Sequence, residues 1–480
     1  MPRDDIPDST EVLVIGGGPA GYVAAIRASQ LGCDVTLAEG ADLGGVCLNH
    51  GCIPSKALIS ATDIAHEAGT ADEMGIQADP EIDLARLIEW KDGVVDRLTG
   101  GVDKLCKANR VTVVPAMASL TGERTARLAR TDGDETAEQE IDFEQAIIAT
   151  GSRPIELPGF PFDADPIMSS REALSPETRP ESLFIIGAGY IGMELAGVYA
   201  KLGTDVTVVE MLDSMLPGYD EELVDPVRDR ADELGIDVHL ERVATDWEAR
   251  EDGQVDVAVA PADDPENGEQ MTHVADRILV AVGRDPVSDT VGLDAVGIEP
   301  NESGFVETDS QFRTAVDSIF AVGDVAGEPM LAHAGMAEGL VAAAAAAGES
   351  VEYDPRAVPA AVFTDPEIGE VGLTPEEAAE RGLEATVGEF PFRASGRALT
   401  TGQTDGFVRL VAEGPDGPIV GGQVVGPEAS ELVAEIGLAI ETGATLADVG
   451  DTIHVHPTLG EAVMEAAEQG LGRAIHTLNR

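Results

Sequence analysis

A chain of 480 residues with 89 acidic and 30 basic side chains carries a net charge of −59. That balance excludes a nucleic-acid groove, which needs a basic face, and four cysteines in so long a chain exclude a secreted disulfide scaffold. No uninterrupted apolar run approaches the ~20 residues of a membrane helix, so a soluble, cytoplasmic protein of two to four domains is expected.

The acids are spread in runs such as "PDSTE" and "DDPENGEQ" rather than gathered in one tail, and the first residues are acidic without a secretory leader. A uniform excess points to a surface adapted to concentrated salt, as in a halophile. Lysine occurs only at Lys56, Lys91, Lys104, Lys107 and Lys201, so each retained lysine is informative.

The first elements are written in "EVLVIGGGPAGYVAAIRASQLGCDVTLAEG". A β-branched strand runs into Gly16-x-Gly18-x-x-Gly21, a helix follows, and a second strand ends at Glu39. Such a turn lets backbone approach a pyrophosphate at a helix N-terminus, and the acid takes a ribose hydroxyl. Next comes "GGVCLNHGCIPSK", with Cys47 and Cys52 five positions apart. The pair reads as a structural disulfide, half of a zinc site, two buried thiols or a redox dithiol. The C-x4-C spacing and the lack of further ligands disfavour zinc. The start of a helix, where the dipole lowers a thiol's pKa, favours redox work.

The opening pattern recurs in "SLFIIGAGYIGMELAGVYAKLGTDVTVVEM", which supplies Gly187, Gly189, Gly192 and Glu210. Gly16 to Gly187, Gly21 to Gly192 and Glu39 to Glu210 share one offset, 171 residues, the difference of the numbers in each pair. "AIIATGSRP" (146–154) and "ILVAVGRDP" (278–286) are a second echo. Two dinucleotide-binding units of related plan are therefore expected, the second spanning 151–279 and interrupting the first. An acid at Glu210 favours NAD over NADP, and Glu39 suits the adenosine ribose of FAD. The glycines alone do not say which unit takes which carrier.

"SIFAVGDV" reads as a strand ending at Asp324, followed by an alanine-rich helix attributed to helix propensity. Beyond 351, short alternating segments and two helical stretches predict an antiparallel sheet in a third domain. "HVHPTLGEA" supplies His454, His456 and Glu461. A histidine before proline with a glutamate five positions on suits an imidazole oriented by a carboxylate.

In this order "GGGPAGYVAAIRA", "GGVCLNHGCIPSKAL", "ATGSRP", "GAGYIGMELA", "VGRDP", "FAVGDV" with "MLAHAGMAEG", and "HVHPTLGEA" resemble the flavoprotein pyridine-nucleotide disulfide oxidoreductases over nearly the whole chain. The resemblance implies an α/β fold of two Rossmann-like domains plus a C-terminal α+β dimerisation domain. FAD would bind at 1–150 with 280–350, NAD at 151–279, and 351–480 would form the interface of a homodimer. It implies a redox disulfide in which Cys47 exchanges with substrate and Cys52 abuts the flavin, forming a charge-transfer complex. Lys56 would approach the flavin and pair with Glu194. Asp324 would bind the ribityl chain, while Gly151 and Ala332 would lie near FAD. Val243 and Gly283 would make backbone contacts to NAD, and Tyr190 would cover the nicotinamide pocket or simply pack. His456, oriented by Glu461, would be the base and would come from the partner subunit.

The implied reaction is oxidation of protein-bound dihydrolipoyl groups to lipoyl with reduction of NAD, on the lipoyl domain or acyltransferase of a 2-oxoacid dehydrogenase complex. The alternative is another NAD(P)H-linked disulfide reductase acting on a small thiol. No cysteine follows Cys106, so the terminal thiol pair of a mercuric reductase is missing. His50 departs from the family pattern and either tunes a thiol pKa or does nothing.

Overall fold

A computed structural model describes residues 6–132 and 138–479, so the acidic start at 1–5 lies outside the described residues. The opening β-branched run forms the strand Ser9–Ile15, buried on both faces toward its end. It is flanked by Val35–Glu39 and Glu138–Ile148, and the parallel sheet is completed by the start of Thr112–Gly122 on one side and Ile319–Ala321 on the other. The far halves of Thr112–Gly122 and Glu138–Ile148 leave this sheet and pair antiparallel with Thr125–Arg130.

The second unit repeats the plan. Its parallel sheet runs in the order Asp237–His239, Asp205–Val209, Ser182–Ile186, Arg277–Val280, Ile167–Met168. Its antiparallel annex is Arg242–Ala249, Val255–Pro261 and Met271–Ala275. The helices after the two glycine turns, Pro19–Gln30 and Tyr190–Lys201, keep the 171-residue offset at both ends. Ser152–Pro154 pairs antiparallel with Arg284–Pro286, so the chain leaves for the second unit and returns from it side by side.

The C-terminal sheet is antiparallel throughout, in the order Ala360–Val362, Glu367–Gly372, Ile419–Gly426, Phe407–Glu413, Ala385–Pro391. Helices Ala429–Thr442 and Glu461–Gly470 bury Val433, Ile436, Val463 and Ala466 in its core. Among the described residues no helix is long and apolar enough to cross a membrane.

One local expectation is corrected. The strand expected to end at Asp324 stops at Ala321, and Asp324 sits in the 3-10 turn Gly323–Val325. The turn forms because Glu338 accepts the Gly323 N–H at 2.6 Å, giving the backbone a partner the sheet does not offer. The alanine-rich stretch is the helix Ala332–Ala346, as expected. A Cβ on Gly339 would sit 2.5 Å from the Ala20 carbonyl oxygen. Small residues there let this helix lie directly on Pro19–Gln30.

The net charge of −59 acts on this architecture as self-repulsion, screened within about 3 Å at 1 M salt. Thermal unfolding in molar KCl is expected at least ~10 °C above that in dilute buffer. Coincident curves would show that the acidic surface carries no such penalty.

Candidate active site

A cavity of about 390 Å³ opens at the carboxyl ends of the first parallel sheet, where Ile15, Glu39, Ala149 and Val322 line it. This is the edge at which open α/β sheets bind ligands. The first turn is built for close approach. Gly16 has φ +102°, and a Cβ there would meet the Ala149 carbonyl oxygen at 2.3 Å. A Cβ on Gly21 would meet the Gly16 carbonyl oxygen at 1.9 Å, so the outer glycines are required by packing. Gly18 has nothing nearer than 3.9 Å and lines the cavity, so the middle glycine is the one that leaves room.

The second turn repeats this. Gly187 has φ +104° and Gly192 packs on it, whereas Gly189 faces open space. The acids also match: Glu39 accepts the Gly17 N–H at 2.6 Å and the Ala41 N–H at 2.7 Å. Glu210 accepts the Ala188 N–H at 2.8 Å and the Leu212 N–H at 3.0 Å. Each carboxylate oxygen keeps a lone pair for a hydroxyl, so both units fit a dinucleotide. Gly187, Gly189, Gly192, Glu210, Val243 and Gly283 lie outside the first cavity. Val243 follows Arg242, whose N–H reaches the Glu210 carbonyl at 2.8 Å, and Gly283 (φ +130°) precedes the returning strand.

Both redox candidates line the cavity, with Gly151, Asp324, Ala332 and Tyr190. Cys47 lies within the short helix Gly45–His50, and Cys52 opens the helix Cys52–Thr70. Only Cys52 therefore occupies the helix start expected for the pair. The hydrogen bond from the Cys47 thiol lowers the Cys52 thiol to about 7, with Lys56 adding to the effect against burial. The same bond and burial push Cys47 up. Lys56 Nζ stands 2.7 Å from Glu194 Oε2, across 138 residues of sequence. Asp324 accepts the Ser152 hydroxyl, which in turn accepts Arg284 Nε at 2.7 Å.

The histidine candidates lie elsewhere on the chain. His456 Nδ1 is 3.0 Å from Glu461 Oε1, and its side chain is 80% exposed. A carboxylate neighbour holds the proton on Nδ1 and leaves Nε2 with its lone pair outward. Against partial burial, the Thr458 N–H and then His456 hold the Glu461 carboxyl below its ordinary range. His454 is committed on both nitrogens, to Thr452 O and to Glu435 Oε1, each at 2.8 Å. A single chain thus joins the cysteines to a dinucleotide cavity but leaves His456 away from it.

Sequence reasoning overlooked Ser152, Arg284 and Glu338, which hold the Asp324 turn, because nothing local marks them. It left the role of His50 open. Its imidazole lines the cavity, 3.6 Å from Asp42, and burial together with the nearby Arg171 holds its pKa down.

Comparison with known proteins agrees with this geometry. Residues 10–339 match the family described as pyridine nucleotide-disulphide oxidoreductase, and residues 358–467 match the dimerisation domain of that family. A protein of Halobacterium salinarum named dihydrolipoyl dehydrogenase is 58% identical over 476 residues, covering 99% of each chain. Proteins of the same name from Haloferax volcanii and Geobacillus stearothermophilus are 57% and 47% identical, again over 99% of each chain. A crystal structure of LpdA from Mycobacterium tuberculosis superposes with a TM-score of 0.88 at 28% identity, covering 96% of this chain and 99% of that one. With paired glycine turns, a dithiol in the first cavity and the matching dimerisation domain, the chain belongs to the pyridine nucleotide-disulphide oxidoreductases.

Proposed function

We propose that the protein oxidises protein-bound dihydrolipoyl groups to lipoyl and reduces NAD, acting in the cytoplasm as a homodimer on the lipoyl domain of a 2-oxoacid dehydrogenase complex. The observation that carries the reading is a dithiol, Cys47 and Cys52, lining the same cavity as the first glycine turn. Full-length identity of 58% to a dihydrolipoyl dehydrogenase supports the choice of substrate.

The cycle starts from the Cys47–Cys52 disulfide. His456 of the opposing subunit, oriented by Glu461, takes a proton from one substrate thiol on Nε2. The thiolate attacks Cys47 Sγ, breaking the Cys47–Cys52 bond and leaving Cys52 as thiolate. The second substrate thiol attacks the substrate sulfur of the mixed disulfide, its proton passing to the departing sulfur, and releases Cys47 as a thiol. Substrate is thereby oxidised to its disulfide by two electrons, and those two electrons are held on the cysteine pair. Lys56 steadies the Cys52 thiolate by charge, and Glu194 steadies Lys56. FAD would be held by Gly16, Gly18, Gly21, Glu39, Gly151, Asp324 and Ala332 and would supply two-electron chemistry between dithiol and NAD. NAD would be held by Gly187, Gly189, Gly192, Glu210, Val243 and Gly283, and Tyr190, which follows Gly189, lines the first cavity. The open space at Gly18 and Gly189 would let phosphates approach the helix N-termini.

The test is NADH formation from dihydrolipoamide in molar KCl, with NADP and reduced glutathione as controls. Strong NAD-linked turnover on dihydrolipoamide alone is the expected result. A folded, yellow protein turning over only another thiol would overturn the substrate.

A further inference from the structure

Lys56 is held by more than its carboxylate. Its Nζ also lies 4.4 Å from the centroid of the Phe363 ring. The Phe363 N–H donates to Glu194 Oε1 at 3.0 Å, the oxygen that Lys56 leaves free. One residue of the C-terminal unit therefore touches both members of the pair, the cation with its ring face and the anion with its backbone. A ring face attracts an ammonium ion electrostatically, more strongly where water is scarce, and Glu194 is only 5% exposed.

A second clamp fixes where Phe363 can lie. Lys201 Nζ sits 2.6 Å from Asp63 and 2.8 Å from Asp365, with its own side chain 4% exposed. Asp63 is seven residues after Lys56 on the same helix, Lys201 seven after Glu194, and Asp365 two after Phe363. Each step of seven is about two helical turns, so the second clamp repeats the first with its charges reversed. Sliding one helix by two turns would set Lys56 against Lys201. The reversal thus locks the register of the two helices, and Asp365 anchors the segment that carries Phe363.

We propose that Phe363 is a positioning residue for the redox pair, its ring holding the Lys56 ammonium on the Cys52 side of the cavity. The inference rests on the reading of Cys52 as the thiol facing the flavin. A carboxylate alone leaves the ammonium free to pivot about Glu194 Oε2. The ring fixes a second direction, so without it Lys56 swings outward and Cys52 loses part of its neighbouring charge.

The experiment uses holoprotein carrying Cys47→Ser, which leaves Cys52 as the single thiol of the pair. Its thiolate is followed against pH by charge-transfer absorbance with the bound flavin. Adding Phe363→Leu keeps apolar bulk and the backbone N–H but removes the ring. It is expected to raise the midpoint by ~0.5 pH unit or more, a threefold change in proton concentration. Phe363→Tyr, which keeps the ring, is expected to titrate like the parent. An unchanged midpoint with leucine, or an equal rise with tyrosine, overturns the proposal. Should leucine lower the melting temperature in molar KCl, Phe363→Met replaces it as the ringless variant. If the parent shows no charge-transfer band at any pH, the flavin-facing reading of Cys52 has failed. The same variants are then compared by the pH dependence of Cys52 alkylation, read by peptide mass, with the same two outcomes deciding for or against Phe363.

Discussion

Cys47→Ser is expected to lower NAD-linked oxidation of dihydrolipoamide at least ~10³-fold, while NADH still reduces the bound flavin. Serine keeps the shape of the site but cannot form a disulfide with Cys52, so the substrate thiolate has no sulfur to attack. In the cavity the Cys47 sulfur has Cys52 as its partner, through their hydrogen bond, and the cofactor-binding residues do not lean on it. Gly16, Gly18, Glu39, Lys56 and Asp324 hold their positions through backbone packing and partners of their own. Stopped-flow reduction by NADH and steady-state dithiol turnover together check both halves. A variant retaining a tenth of wild-type turnover would place the exchange reaction on another group.

The second large effect concerns the base. His456→Gln is expected to cost ~10²–10⁴-fold in dithiol turnover, the usual range for a positioned proton acceptor. His456 stands on the surface of its own chain, 80% exposed, and does not line the cavity that holds the cysteines. The proposed homodimer would bring them together across its interface. Co-expression of Cys47→Ser and His456→Gln chains discriminates the arrangement. If the base acts across the interface, each mixed dimer carries one site with both intact residues. Random pairing then restores about a quarter of wild-type activity. If the base acted within its own chain, mixing two inactive variants would restore nothing.

Much of this chain is legible without coordinates because its determinants are local. The glycine turns at Gly16 and Gly187 show in their spacing, although the Ala149 and Ala281 carbonyls that leave no room for a Cβ there come from residues just past distant strands, and the strand and helix on either side follow from period and branching. The repeated offset of 171 residues exposed two units of one plan, and the structure holds it at both helix ends. The resemblance carried the remaining assignments, including the Lys56 pairing with Glu194. Errors came where a local pattern had a non-local partner. The strand before Asp324 stopped early because Glu338, fourteen residues beyond that aspartate, supplies a better partner for the Gly323 N–H. The alanine-rich helix forms as expected, but its place against Pro19–Gln30, with Gly339 at the Ala20 carbonyl, has no local signal.

By itself the sequence determined two glycine-turn units, a nearby thiol pair, an oriented imidazole and a surface of uniform negative charge. Each arises from chemistry spanning a few residues or from simple counting. Only the tertiary structure decided which helix start carries a thiol, that His456 stands apart from the cysteines of its own chain, and that Phe363 and the Asp63–Lys201–Asp365 clamp brace Lys56. Those decisions depend on side chains far apart in sequence, some of them joined in one buried cluster that runs from Leu58 through Leu195 to Val362. No local preference encodes such contacts, because their geometry exists only once the helices lie in register.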